Sequence, residues 1–197
     1  MFQQAASAVI NFNNTGLSIL EIGHRTPGFI DLMEEARALV KELMSLDDNH
    51  EVLFLHGGAS TQFMQVPMNL LDDKETAAYT DTGVWGAKAI KEAALFGKVD
   101  VVCSSKDQNY SYIPKDFAVP NDAKFLHITT NNTIYGTQWQ NIPFTSNSMV
   151  ADMSSDILSR KLNFNQFDLI YAGAQKNMGA AGVNIVIVNK NILGKVK

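Results

Sequence analysis

One cysteine and five prolines occur in 197 residues, and no stretch approaches the ~20 consecutive apolar residues of a membrane-spanning helix. With Cys103 alone, no intrachain disulfide and no cysteine-based zinc site can form, which fits a reducing compartment and predicts a cytoplasmic location without membrane partners. No block of like charge is present. Sixteen basic residues against twenty acidic ones give a net charge of -4, so nucleic acid is not an expected partner. The stretch from Met1 to Ile10 has no Lys or Arg ahead of its apolar residues, and Asn11 to Asn14 interrupts it, unlike a signal peptide. The N-x-S/T matches at Asn13, Asn109 and Asn131 therefore carry no weight as glycosylation sites. Low-complexity tracts, internal repeats and clear linkers are also missing.

What is present is an ordinary globular composition, 46% hydrophobic and 18% charged, long enough for one fair-sized domain or two small ones. From Pro27 to Met44 the apolar residues Phe29, Leu32, Met33, Ala36, Leu39, Val40 and Leu43 recur at spacings of three and four. That pattern predicts an amphipathic helix with Pro27 in its first turn. Val52 to Leu55 reads as a buried strand ending in the Gly57-Gly58 turn, with a helix starting near Ser60. Ala77 to Tyr79 precedes a helical stretch from Gly83 to Phe96. Further strands are predicted at Val99 to Cys103, Phe125 to Thr129, Met149 to Ala151, Asp168 to Tyr171 and Ile185 to Val188, and another helix from Asn191. Short apolar strands alternating with helices imply an α/β architecture with a mainly parallel sheet and flanking helices.

Four places could carry chemistry. His56-Gly-Gly-Ala-Ser-Thr-Gln62 joins a strand to a helix, where backbone N–H groups can cradle a phosphate; it lacks the P-loop lysine and the dinucleotide spacing, and its glycines could serve geometry alone. Lys176 follows a buried strand among small residues, where partial loss of solvation makes an amine available for a Schiff base; a solvated lysine in a turn is the alternative. Asp152 ends an apolar strand, the place where ligands bind in open α/β sheets, and could hold a heterocyclic N–H⁺ or cap a helix over Met153 to Leu158. His24-Arg25 offers a planar fork for a carboxylate or phosphate, or a partner for Asp31 or Glu34. Trp85 could pack in the core or lie on a planar ligand. His50, His56 and His127 show no metal-ligand spacing, and no metal is expected.

Several stretches occur in one order: Glu21-Ile-Gly-His-Arg25, Gly57-Gly-Ala-Ser-Thr-Gln-Phe63, Val66-Pro-Met-Asn69, Thr82-Gly-Val-Trp85, Ala89-Ile-Lys-Glu-Ala93, Asn132-Thr-Ile134, Ala151-Asp-Met-Ser-Ser155 and Ile170-Tyr-Ala-Gly-Ala-Gln-Lys-Asn177. From about Asn11 to Lys197 this chain resembles the phosphoserine aminotransferases, pyridoxal-phosphate enzymes of the class V aminotransferase group. The resemblance implies the large domain of a fold-type I transferase, incomplete here and without the small domain. It implies pyridoxal 5'-phosphate as cofactor, with Lys176 as the catalytic Schiff-base lysine that also moves protons. Asp152 would hold the ring nitrogen protonated, Trp85 would stack on the ring and Thr133 would contact it. Backbone N–H groups of Ala59 and Ser60, with Gln175, would hold its phosphate. His24 and Arg25 would receive the substrate's anionic groups.

The implied reaction passes an amino group between glutamate and 3-phosphohydroxypyruvate, giving 2-oxoglutarate and O-phospho-L-serine in serine biosynthesis. Some relatives also serve pyridoxine biosynthesis. A homodimer is implied. Many bacterial members carry arginine where this chain has Ser60, so either another group assists in binding the substrate phosphate or the affinity falls. Other class V enzymes, such as cysteine desulfurases, share the lysine and aspartate logic, and an inactive chain retaining the fold is the remaining alternative.

Overall fold

The computed structural model describes residues 2–194. Two compact units divide the chain, the first through Leu43 and the second from Met44. The first unit holds α1 (Phe2–Ile10) and nearly all of α2 (Pro27–Met44), whose bounds match the apolar spacing and whose first turn takes Pro27 at the cost of no hydrogen bond. Glu34, one candidate partner for Arg25, pairs instead with Arg37 one turn along α2.

The second unit is built on a seven-stranded sheet. Its strands are β1 (His50–Leu55), β2 (Thr76–Asp81), β3 (Lys98–Ser104), β4 (Phe125–Thr129), β7 (Ser148–Asp152), β8 (Leu169–Gly173) and β9 (Asn184–Asn189), in the order β1-β9-β8-β7-β4-β2-β3. Between β4 and β7 a two-residue hairpin pairs β5 (Asn131–Asn132) with β6 (Thr137–Gln138). From β3 through β8 all neighbours are parallel, whereas β9 runs antiparallel to both β8 and β1. The sheet is thus mainly parallel, as the strand-helix alternation predicts. Helices α3 (Gly58–Leu70) and α4 (Val84–Ala93) follow β1 and β2.

The helix predicted over Met153 to Leu158 is instead a turn, closed by Ile157 N donating to Met153 O at 2.9 Å. Asp152 prefers to accept from the backbone two residues on, a local bond that competes with helix formation. At Asn191 a short 3-10 turn (Lys190–Ile192) that ends in an extended Leu193 stands in place of the expected helix; residues 195–197 of that expectation lie outside the described residues.

Alternation along the strands puts Phe125, His127 and Thr129 of β4 on one face with Val150 and Asp152 of β7 and Leu169 and Tyr171 of β8. Phe63, Val66 and Leu70 of α3 and Ala89 and Ala93 of α4 form one hydrophobic cluster with residues of this face. Edge-on ring contacts, Phe63 to Tyr171 at 6.2 Å and Tyr79 to Phe125 at 5.8 Å, lock it together.

His127 is buried in this layer. Its Nε2 lies 2.8 Å from the Tyr171 hydroxyl and its ring stacks on Tyr79 at 4.7 Å. Burial pushes its pKa down to about 3 from 6.5, so it folds as the neutral imidazole. Between those values the folded chain binds fewer protons than the unfolded one. Stability is therefore lost as pH falls from 6.5 toward 3, by up to about 1.4 kcal/mol for each pH unit. Urea unfolding across that window should show a smaller acid loss in His127→Gln than in the wild type, and identical slopes would contradict this assignment.

Candidate functional site

In the strand order, β2 connects outward to β3 while the following strands build in the opposite direction from β4. The C-terminal ends of β2 and β4 thus form a topological switch point, the usual ligand crevice of an open α/β sheet. A cleft opens there, and every residue that lines it belongs to the second unit.

One wall is the start of α3. Gly57 and Gly58 take φ of +94° and +68°, which turns the chain from β1 into the helix within two residues. A Cβ on Gly57 would lie 2.4 Å from the Thr61 hydroxyl, which itself donates to Gly57 O at 2.6 Å. Gly58, Ala59 and Ser60 line the cleft, and a helix leaves its first N–H groups without carbonyl partners. Together with the positive end of the helix dipole, these make a site for a phosphate. Gly57→Ala is expected to cost about 1–2 kcal/mol of stability through its left-handed backbone, measured by urea unfolding, and to weaken phosphate binding.

The lining carries the other sign of charge as well. Asp152, at the end of β7, is 5% exposed, and its Oδ1 accepts from Ser154 N at 3.0 Å and from the Ser154 hydroxyl at 2.6 Å. Gly173 N in turn donates to that hydroxyl oxygen at 3.1 Å, which fixes the direction of the Ser154 O–H. Burial raises the Asp152 pKa; the Ser154 bonds and the Lys176 charge draw it partly back. A buried carboxylate in this state is poised for a cationic N–H partner.

Lys176 lies in the turn after β8. It is exposed, so of the two readings the structure shows the solvated lysine in a turn and not a partly desolvated amine. Its Nζ donates to Thr133 Oγ1 at 3.0 Å and stands 5.7 Å from the centre of the Trp85 ring. Thr133 is carried on the tip of the β5–β6 hairpin. Trp85, in the first turn of α4, is half-buried and packs on the hydrophobic cluster. It can do so because Gly86 lets α4 approach β2: a Cβ there would lie 3.0 Å from Thr80 O. Gln175 lines the cleft and folds over Gly173, where a Cβ would meet its Oε1 at 2.9 Å.

The structure therefore gathers Ala59, Ser60, Trp85, Asp152, Gln175 and Lys176 around one cleft, with Thr133 bonded to the lysine. His24 and Arg25 lie in an exposed turn of the first unit, just ahead of α2. Thr129, Asn131 and Ser154 also line the cleft and escaped the sequence reading. Ser154 had a signal in the Asp-x-Ser pattern, which favours a local side-chain turn. Thr129 had none beyond its place in an apolar strand; its hydroxyl is buried without a protein partner. Among the described residues no cluster of His, Cys, Asp or Glu could hold a metal. A flat heteroaromatic ring with a cationic N–H and a phosphate group matches this donor set of helix N–H groups, a buried carboxylate, an indole and an amine around one cleft.

Comparison with known proteins supports the same assignment. A phosphoserine aminotransferase of Flavobacterium johnsoniae is 56% identical over 196 residues, 99% of this chain and 55% of the relative. A phosphoserine aminotransferase structure recording radiation damage of its Schiff base superimposes with a TM-score of 0.94 at 44% identity, over 100% of this chain and 56% of that one. The pyridoxal-phosphate-bound phosphoserine aminotransferase of Trichomonas vaginalis gives a TM-score of 0.89 at 31% identity, over 98% and 55%. The chain thus spans about half the length of the relatives it matches. The class-V aminotransferase family model covers residues 2–197, so the likeness reaches back past the Asn11 start read from the motifs. With nearly its whole length inside that match, this chain belongs to the class-V aminotransferases.

Proposed function

We propose that this chain carries the cofactor-binding part of a phosphoserine aminotransferase, exchanging an amino group between glutamate and 3-phosphohydroxypyruvate, with pyridoxal phosphate as its cofactor. The observation that carries the reading is the convergence, at one strand edge, of the Lys176 amine, the buried Asp152 carboxylate and the free N–H groups of α3. When bound, pyridoxal phosphate supplies an electron sink for the pair left behind by a departing α-proton.

The chain's own residues divide the work. The N–H groups of Ala59 and Ser60, with the Gln175 side chain, hold the cofactor's phosphate. Asp152 holds a proton on the ring nitrogen, and the Ser154 bonds keep its carboxylate aimed and ionised against the cost of burial. Trp85 fixes the plane of the ring and Thr133 lies beside the reacting amine. Lys176 would supply the amine that anchors the cofactor and would carry the proton from the substrate α-carbon to the cofactor's C4′. His24 and Arg25 are the proposed receivers of the substrate's anionic groups.

A cytoplasmic homodimer is part of this proposal. The dimer is what the likeness to the phosphoserine aminotransferases implies, and the single free cysteine, Cys103, suits a reducing compartment. A phosphorylated hydroxythreonine precursor of pyridoxine, which presents the same anionic groups, is a second proposed substrate. The experiment that tests the substrate class adds phosphoserine, serine, alanine or cysteine to cofactor-loaded protein and follows the visible spectrum. Phosphoserine should convert the chromophore at the lowest concentration. Equal response to the unphosphorylated donors would overturn the substrate assignment.

A further inference from the structure

A carboxylate outside the cleft connects its parts. Asp156, in the turn after Asp152, is 4% exposed. Its Oδ1 accepts the Thr130 hydroxyl and its Oδ2 accepts Gln138 Nε2 at 3.1 Å, with Arg160 Nη2 3.9 Å from Oδ2. Thr130 and Gln138 stand on the two legs of the β5–β6 hairpin: Trp139 N donates to Thr130 O at 2.9 Å, and Gln138 pairs with Asn131. Arg160 secures the second leg by donating to the Trp139 carbonyl and to Gln140 O, the latter at 3.2 Å. The hairpin tip carries Thr133, whose hydroxyl accepts from Lys176 Nζ. From the other side, Asn177 Nδ2 donates to Ile157 O at 2.6 Å and ties the lysine turn to the same segment.

We propose that Asp156 is a positioning residue for Lys176, clamping both legs of the hairpin so that the Thr133 hydroxyl stays against the lysine amine. The proposal builds on the reading of Lys176 as the cofactor-bearing residue. Burial and charge give the clamp its stiffness: a carboxylate accepting from a hydroxyl, an amide and a nearby guanidinium makes stronger bonds than a neutral acceptor of the same shape. Burial pushes its pKa up, while Thr130, Gln138 and Arg160 hold it down.

The test compares wild type, Asp156→Asn, Gln138→Leu, Thr133→Val and the Asp156→Asn/Thr133→Val pair. In the cofactor-free chain, Asp156→Asn should speed amide hydrogen exchange of Thr130, Gly136 and Trp139 several-fold and leave β2 and β4 protected. Lys176 should react with acetic anhydride at fixed pH several-fold faster in Asp156→Asn and Thr133→Val, and the double variant should add nothing further. Gln138→Leu, which removes one leg alone, should shift both readouts less and in the same direction. If wild type forms no Lys176-dependent chromophore with pyridoxal phosphate while these shifts occur, the proposed function fails and the clamp stands. A hairpin as protected as in wild type, or Lys176 reactivity that is unchanged or additive with Thr133→Val, would overturn it.

Discussion

Lys176→Ala is expected to abolish the visible chromophore that pyridoxal phosphate forms with the protein and to slow amino transfer by about 10⁴-fold. Two roles vanish with one side chain, the covalent anchor and the group that moves the α-proton, and among the residues lining the cleft Lys176 carries the only amine. The fold should survive. Lys176 is exposed, and its bond to Thr133 is an exposed one that contributes about 1 kcal/mol or less. Residual binding through the α3 N–H groups should leave the cofactor held without the covalent band. A Lys176-independent band, or a rate near that of wild type, would remove the lysine from its proposed role.

Asp152→Asn should lower the rate of the phosphoserine half-reaction by about 10²–10³-fold, because an amide cannot hold the ring nitrogen's proton. The same substitution should stabilise the cofactor-free chain. Burial raises the Asp152 pKa in the fold, so the folded chain keeps that proton to higher pH than the unfolded chain does. Stability from this group is greatest below the ordinary carboxylate value of 3.8 and is lost as pH rises through the folded value. Asparagine does not ionise and escapes that loss. Thermal unfolding at neutral pH should therefore place cofactor-free Asp152→Asn at or above wild type, while added pyridoxal phosphate raises wild type more. Equal gains from the cofactor in both proteins would show that Asp152 does not face a cationic ring.

Local pattern carried much of this architecture. The apolar spacing from Pro27 to Met44 reads directly as α2, and the continuous run Phe125 to Thr129 reads as β4, because helix and strand periods are local properties of the chain. The reversed direction of β9 was not legible. A strand buried on both faces is apolar throughout whichever way it runs, and its pairing with β1 is decided across a long separation in sequence. The β5–β6 hairpin escaped for a different reason: two-residue strands carry no period, and side chains from the 153–158 segment hold this one in place.

At the site, the order of the family motifs identified the cleft residues, but their physical state came from the structure. Asp152 is buried as its position at a strand end suggests, while Lys176 is solvent-exposed and depends on Thr133 for its placement. Ser154 and Asp156 act through other side chains; the Asp-x-Ser spacing hints at the first as a local turn, and no residue type or spacing marks the second.

Lys176 as the cofactor's anchor is tested most directly by borohydride reduction of the chain in the presence of pyridoxal phosphate, followed by peptide mass mapping. One reduced pyridoxyl-phosphate group should appear, on the peptide containing Lys176, and Lys176→Ala should block it. Labelling spread over other lysines, or none on Lys176 in folded protein saturated with cofactor, would contradict it.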